Sequence, residues 1–424
     1  MSTADHPTPA HPAPAQPGSP HLAAPEHPAH GIAPIVPRPV VDLAPLLSWL
    51  RAGQPAAERL DFPAGTALPD GRLDLCKQQL GPDGALLVAE ALQPRAADGA
   101  PGPVRHLLLG TDGLGDAGAE RVAARAVGSD VRTLYLGCNG ITTTGACRIA
   151  DRLRASPQAV RALWLKRNPL GTGAGRAAAD LVAAAEQLRT LDLVQTGLDP
   201  AGLAVLADAV LVHLARTGRT FERLYLGGNR LGPAGAEQLA RLLLAGATEE
   251  LYASAAGLGD AGGQTVAAAL EQAPPGRLRR LSLASNGIGP QPAARLVAAA
   301  AAAGVELLDL GRVKAAGVLG AADNRLDAEA MGTLGAALAA RPHRLRHLVL
   351  ANTGLRSRAA LHLLAQAERA ASPTRYVLGK GIATTVRRRF EALSAEVPWP
   401  AMPADVAAVQ SVHRTAPPPT GRDS

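Results

Sequence analysis

Aromatic residues are scarce in this chain of 424 residues: three Trp, four Tyr and three Phe, or 2% of the total. Hydrophobic residues nonetheless make up 47%. Leu, Val and Ala must therefore build the core, in many thin layers rather than around a few large rings. Cysteine is almost as rare. Cys76, Cys138 and Cys147 form an odd set with no CxxC and no Cys/His ligand spacing, which argues against a disulfide framework or a zinc site and for free thiols in a reducing compartment. Charged residues are only 19%, and no block of five or six like charges occurs despite a net charge of +7 and an isoelectric point near 9.8. Such a distribution describes a basic, mixed surface rather than a nucleic-acid groove. The opening MSTADHPTPAHPAPAQPGSP lacks the basic and apolar regions of a leader, and the Ala-rich run Val297–Gly304 is too short to span a bilayer. These features predict a cytoplasmic location without membrane contact.

Composition divides the chain. Residues 1–40 are rich in Pro, Ala and His and carry five of the eleven histidines; such a segment buries too little apolar surface to offset its ordering entropy. Residues 395–424 read the same way, so both ends are expected to be disordered tails. Residues 41–70 are expected to cap what lies between, an array over 71–394.

That array repeats itself. LDLCKQQL begins at Leu73, LLLGTDGL at Leu107, LYLGCNGI at Leu134, LWLKRNPL at Leu163 and LDLVQTGL at Leu191. LYLGGNRL follows from Leu224, LYASAAGL from Leu251, LSLASNGI from Leu281, LDLG from Leu308 and LVLANTGL from Leu348. About ten repeats result, with a degenerate cap at Tyr376–Ile382. Most first leucines lie 27 to 30 residues apart; the interval from Leu308 to Leu348 is 40. In each unit the LxL segment alternates, so its leucines face inward and its middle residue outward. A turn and an amphipathic helix follow, as in GPAGAEQLARLLL from Gly232, whose Leu239, Leu242 and Leu243 form the inward stripe. One unit cannot bury its apolar face alone; stacked units form a parallel sheet backed by helices.

An asparagine column sets the register. Five of the six Asn fall at one repeat position: Asn139, Asn168, Asn229, Asn286 and Asn324. An amide there satisfies backbone groups of the turn that ends each strand. The other units carry Gln78, Asp112, Thr196, Ala256 and Thr353.

The LxLxxNxL segment, its helix and its period resemble the ribonuclease-inhibitor-like leucine-rich repeats, over roughly Leu73–Ile382. The resemblance implies an α/β solenoid, a right-handed horseshoe or arc with the sheet on the concave side and helices on the convex side. It also implies a chain that holds another macromolecule, since members include ribonuclease inhibitors, Ran GTPase-activating proteins and the ligand-sensing arrays of immune receptors. The alternating repeat lengths and many cysteines of the ribonuclease inhibitors themselves are missing here.

Catalytic patterns find no support. GTGAG at Gly171–Gly175 lies between a strand and a helix, the setting of a dinucleotide fingerprint, yet every unit here is strand, glycine turn, helix, and no acidic residue closes a second strand. No cofactor is expected. His213 and His362 read as surface residues of repeat helices. Asp74, Asp192 and Asp309 share the concave side but lie four repeats apart at each step, roughly 20 Å.

Binding is the better reading. The outward column within LxL is Asp74, Leu108, Tyr135, Trp164, Asp192, Tyr225, Tyr252, Ser282, Asp309 and Val349. Four of ten are aromatic in a chain with 2% aromatics, and Tyr and Trp anchor protein interfaces. A row of Arg two positions before the first leucine, from Arg105 to Arg346, is mixed with Glu222, Glu249 and Glu306 and reads as a salt-bridged rim. In the ninth unit the Asn due at position 313 appears as Asn324; the inserted RVKAAGVLGAA, with Arg312 and Lys314, emerges at the concave rim. Tyr135, Trp164, Asp192, Tyr225, Tyr252, Asp309, Arg312 and Lys314 are the candidate partner-binding residues of a monomeric, non-enzymatic scaffold for a protein partner. A ribonuclease or GTPase regulator, and a nucleic-acid binder acting through the basic rim, remain the alternatives.

Overall fold

The structure is a computed structural model describing residues 35–413, except 98, 100 and 157. Most of the Pro/His-rich first tail and the last eleven residues lie outside the described part. Among the described residues thirteen strands form one sheet in chain order. They are β1 (Leu60–Phe62), β2 (Gly65–Ala67), β3 (Arg72–Asp74), β4 (His106–Leu108), β5 (Thr133–Tyr135), β6 (Ala162–Trp164) and β7 (Thr190–Asp192). They continue as β8 (Phe221–Tyr225), β9 (Thr248–Tyr252), β10 (Arg280–Ser282), β11 (Leu307–Asp309), β12 (His347–Val349) and β13 (Arg375–Val377).

From β3 onward every pairing is parallel, and the first leucines stand opposite one another: Leu73 against Leu107, Leu107 against Leu134, Leu163 against Leu191 and Leu308 against Leu348. Both leucines of each LxL are buried, as at Leu191 and Leu193, each 0% exposed. Ahead of the first repeat, a helix (Ala44–Ala52) buries Leu46, Leu47 and Leu50, and the β1–β2 hairpin joins β3 antiparallel. Residues 35–39 lie on the first repeats, where the Arg38 N–H donates to the Gln79 carbonyl (2.9 Å).

The helices crowd behind the sheet. Strands stack about 4.8 Å apart and helices need about 10 Å, so the array curves with its strands inside. Small residues let the helices approach. A Cβ on Gly175 would sit 2.2 Å from the Gly202 backbone of the next helix, so the glycine-rich GTGAG turn serves helix packing. The longest helix, Pro200–Thr217, is long and apolar enough to cross a membrane by length and composition alone. Its inner face, including Leu203, Leu206, Val210 and His213, packs into the core. His213 is thus not the surface residue its helix position suggested. It is 2% exposed and packs on Phe221 with ring centroids 5.5 Å apart; burial pushes its pKa down.

The asparagine ladder supplies the turns. Asn168 Nδ2 donates to the carbonyls of Leu136 and Leu165 (2.9 Å each), and its Oδ1 accepts from the backbone N–H of Asn139 (2.9 Å) and Ile141 (3.1 Å). Asn229 and Asn286 repeat the pattern. Asn324 repeats it too, donating to Leu283 and Leu310 (2.9 Å each), so the ladder resumes after the insertion. The residue before the ladder position is left-handed: Cys138, Arg167, Gln195, Ala255 and Ser285 all have φ between 52° and 58°. That twist turns the chain out of the strand.

Candidate binding face

Two columns of side chains form the concave surface. The register brings Tyr135 beside Trp164, Trp164 beside Asp192, and Asp192 beside Tyr225, which itself lies beside Tyr252. The four rings form one stack. Centroids are 6.2 Å apart for Tyr135–Trp164, 5.1 Å for Trp164–Tyr225 and 4.5 Å for the nearly parallel Tyr225–Tyr252. Trp164 and Tyr225 meet across the intervening strand and close over Asp192.

The expected exposure of this stripe is not what the structure displays. Trp164 is fully buried, Tyr225 is 3% exposed and Asp192 is 0% exposed; only Tyr135 and Tyr252 keep a partly open surface. Asp192 Oδ1 accepts from the Val194 N–H (2.9 Å). Burial raises its carboxyl to about 6, opposed by the nearby Lys166 ammonium, which also lies over the Tyr135 ring at 5.2 Å. Asp309 is likewise held within the array: it accepts from Ser282 Oγ (3.0 Å) and the Gly311 N–H (2.9 Å), and desolvation raises its pKa.

The cover is the chain's own C-terminal segment. Composition placed residues 395–424 outside the fold; residues 397–413 instead cross the whole concave face as a strap, from the last strand back to the first repeat. Arg375 starts it, donating to the carbonyls of Ser394 (2.8 Å) and Val397 (2.9 Å) and lying over the Trp399 ring at 4.7 Å. His347 Nε2 donates to the Pro398 carbonyl (2.8 Å) and Arg280 to the Ala401 carbonyl (3.2 Å). A short helix, Ala404–Ala407, follows, and its Asp405 pairs with Arg223. Val409 then packs into the cluster of Ala162, Trp164, Val194 and Tyr225. Arg72 donates to the Gln410 carbonyl (2.9 Å). Asp74 accepts from Ser411 Oγ (2.9 Å), the Val412 N–H and the His413 N–H (2.8 Å), and His413 Nδ1 meets Thr66 Oγ1 at 2.9 Å.

Dimensions explain the fit. Ten strand steps from β3 to β13 span about 48 Å, and seventeen residues, four of them helical, reach about 50 Å. The arginines that hold the strap, Arg72, Arg223 and Arg280, directly precede a first leucine, Arg375 precedes Tyr376 at the equivalent position, and none of them is among the candidate site residues of the sequence. The signal that points to the strap is the three-residue spacing of Val406, Val409 and Val412 in a tail rich in Pro and Ala.

Arg223 is the buried centre of this column. Its guanidinium also pairs with Glu250 (3.1 Å), both side chains being 8% exposed, and Glu250 accepts from Tyr252 OH (2.7 Å). The outer arginine row is only partly salt-bridged. Arg279 pairs with Glu306 (3.3 Å), whereas Arg105, Arg132, Arg161 and Arg189 make no salt bridge among the described residues.

The ninth-repeat insertion packs down on one side. Val313, Ala315 and Ala316 are buried, with Val313 and Ala316 packing beside Ala284, and the Val313 N–H donates to Ser285 Oγ (3.0 Å). Arg312 and Lys314 point outward and are exposed; Arg312 pairs with Asp323 (3.1 Å). Among the described residues no group of three His, Cys, Asp or Glu could hold a metal ion.

Residues 219–240, strand β8 with its turn and most of the following helix, match the family described as Leucine Rich repeat. No curated protein matches the chain in sequence. Among solved structures the chain is similar to the leucine-rich repeat-containing protein LegL7 from Legionella pneumophila, at 14% identity and a TM-score of 0.42 over 78% of this chain and 92% of that one. It is also similar to a chain of the TLR13–ssRNA13 complex, at 12% identity and a TM-score of 0.35 over 65% of this chain and 37% of that one. In-phase leucines, a ladder of amides and a sheet in strict chain order make this protein an α/β leucine-rich-repeat solenoid.

Proposed function

We propose that this solenoid is a non-catalytic scaffold whose concave face grips an extended segment of a partner protein. One observation carries the reading: the face already holds such a segment, its own strap, through side chains that reach for main-chain carbonyls. Recognition of an extended chain by backbone contacts plus a few side-chain pockets is a general mode of peptide binding. The concave carboxylates support the same view against catalysis, because Asp74, Asp192 and Asp309 each accept backbone N–H groups within the fold. The strand–helix period of 27 to 30 residues supports the ribonuclease-inhibitor-like subtype, and the three unpaired cysteines support a reducing, cytoplasmic setting.

The test is a selection from a displayed random-peptide library on the full chain carrying Asp405→Arg and Val409→Asp, which removes the strap's two central side-chain anchors. Enrichment of a shared pattern, lost when Tyr225 and Tyr252 are also changed to Ala in a chain with native circular dichroism, is the expected result. Selected peptides indifferent to both tyrosines would reject the concave face as the binding surface.

A further inference from the structure

We infer that the strap is a displaceable internal ligand, and that the partner is a protein segment that copies it: an acidic residue, an aliphatic residue four positions later, then an extended polar stretch. This deepens the scaffold reading and rests on it.

The contacts divide by what they read. Four side chains of the array, Arg375, His347, Arg280 and Arg72, take backbone carbonyls of Val397, Pro398, Ala401 and Gln410. Any extended chain offers those acceptors. At the centre of the face two strap side chains are read individually. Asp405 meets the Arg223 guanidinium, and Val409 enters the aromatic cluster. They are four residues apart, Asp405 within the helical turn Ala404–Ala407 and Val409 just past its end, so the turn presents both to the same face. Beyond them Asp74, at the first repeat, accepts from a hydroxyl and two successive N–H groups. The contacts run in order along the face: carbonyls are read from β13, β12 and β10, an acid and an aliphatic in the middle, and a carbonyl, a hydroxyl and two N–H groups at β3.

The strap buries its inner side, Val406 and Val409, and leaves its outer side exposed. Trp399 and Met402 are 42% and 43% exposed, and Asp405 is 34% exposed in its side chain although Arg223 beneath it is 8% exposed. The array side of this surface is therefore more deeply built than the segment lying on it. Because the strap is tethered next to its site, it competes at an effective concentration of the order of millimolar. An incoming segment succeeds only where it fills the same two positions better.

The experiment measures binding of a fluorescent synthetic peptide of residues 397–413 to the full chain, native and with Asp405→Arg and Val409→Asp. Binding to the released chain at least tenfold tighter than to the native chain is expected. It should be lost when the peptide carries the same two substitutions, and loss of binding on Arg223→Glu in the released chain maps it to the central pocket. Equal affinity for native and released chains overturns the inference, as does no binding to a released chain with native circular dichroism. If library peptides still select on the tyrosine stripe while the 397–413 peptide fails, the strap is not the template and the scaffold reading survives. If the peptide binds but the library yields nothing tyrosine-dependent, the strap stands as a closure of the fold and the partner reading falls.

Discussion

Arg223 and Asp405, 182 positions apart in sequence, form an ion pair over the centre of the concave face. Arg223 lies on the sixth repeat strand and Asp405 in the segment that follows the last repeat. The same guanidinium reaches Glu250, so one buried cation joins the sheet to its cover.

The two ends of that pair should respond differently to substitution. Arg223→Ala leaves Glu250, 8% exposed, with only the more distant Arg280 (3.7 Å) as a cationic partner. Loss of one partner of a buried pair costs about 3 kcal/mol or more. Asp405→Asn removes a partly exposed charge and should cost below about 1 kcal/mol, while loosening the strap. Urea denaturation gives the global cost, and hydrogen exchange of residues 398–413 gives the local one. Equal global costs would contradict the burial of Glu250.

The amide ladder should be individually expensive. Asn168→Ala orphans the Leu136 and Leu165 carbonyls and the N–H groups of Asn139 and Ile141, all buried. Each stranded group costs roughly 1–3 kcal/mol before relaxation, so a loss of about 3 kcal/mol or more in equilibrium unfolding is expected. Ala256, which already lacks a polar side chain at the equivalent position, offers the control: Ala256→Gly should cost far less.

Asp112 occupies a ladder position with an acid. Its Oδ1 accepts from the Gln78 N–H (2.7 Å), its Oδ2 is buried without a hydrogen-bond partner, and burial raises its pKa to about 8. The folded chain therefore keeps a proton that the unfolded chain releases near pH 4. Stability should fall as pH rises from about 4 to about 8. Asp112→Asn, an uncharged isostere, should flatten this slope and raise the melting temperature more at pH 8 than at pH 5. A melting curve with unchanged pH dependence would refute the buried acid.

Acid should loosen the strap through His347. Its Nε2 donates to the Pro398 carbonyl, and desolvation, with Arg375, Arg280 and Arg346 nearby, lowers its pKa below the usual 6.5. The imidazole is neutral when covered and binds a proton more readily when released. The covered state is thus favoured above about pH 6.5 and loses that advantage as pH falls through the depressed pKa. Exchange of amides around 398–401 should speed up at pH 5.5 relative to pH 7.5, beyond the intrinsic pH effect, and His347→Gln should remove the excess.

Much of the fold is legible in the sequence because its rules are local. The LxL alternation recurs at nearly every repeat strand and the asparagine at five of them, so the register is declared before any contact is known. Asn324, displaced by the insertion, is still recognisable as the ninth ladder residue. His213 is less readable: whether one face of a long helix is covered depends on Phe221 of the following strand. The left-handed residues before most ladder positions were not legible because Cys138, Arg167, Gln195 and Ser285 share no side-chain chemistry; they share a backbone position.

The leucine and asparagine periods by themselves determined a curved parallel sheet with one outward column, since each repeat can bury its apolar face only against another. The tertiary structure alone decided what covers that column. Tyr135, Trp164, Tyr225 and Tyr252 look exposed when each strand is considered singly, and Asp192 looks available. Val409 and Asp405 change that through contacts far along the chain, made by a segment whose composition promises no fold. A strap of seventeen residues gains order only from the donors and rings the assembled array lines up beneath it.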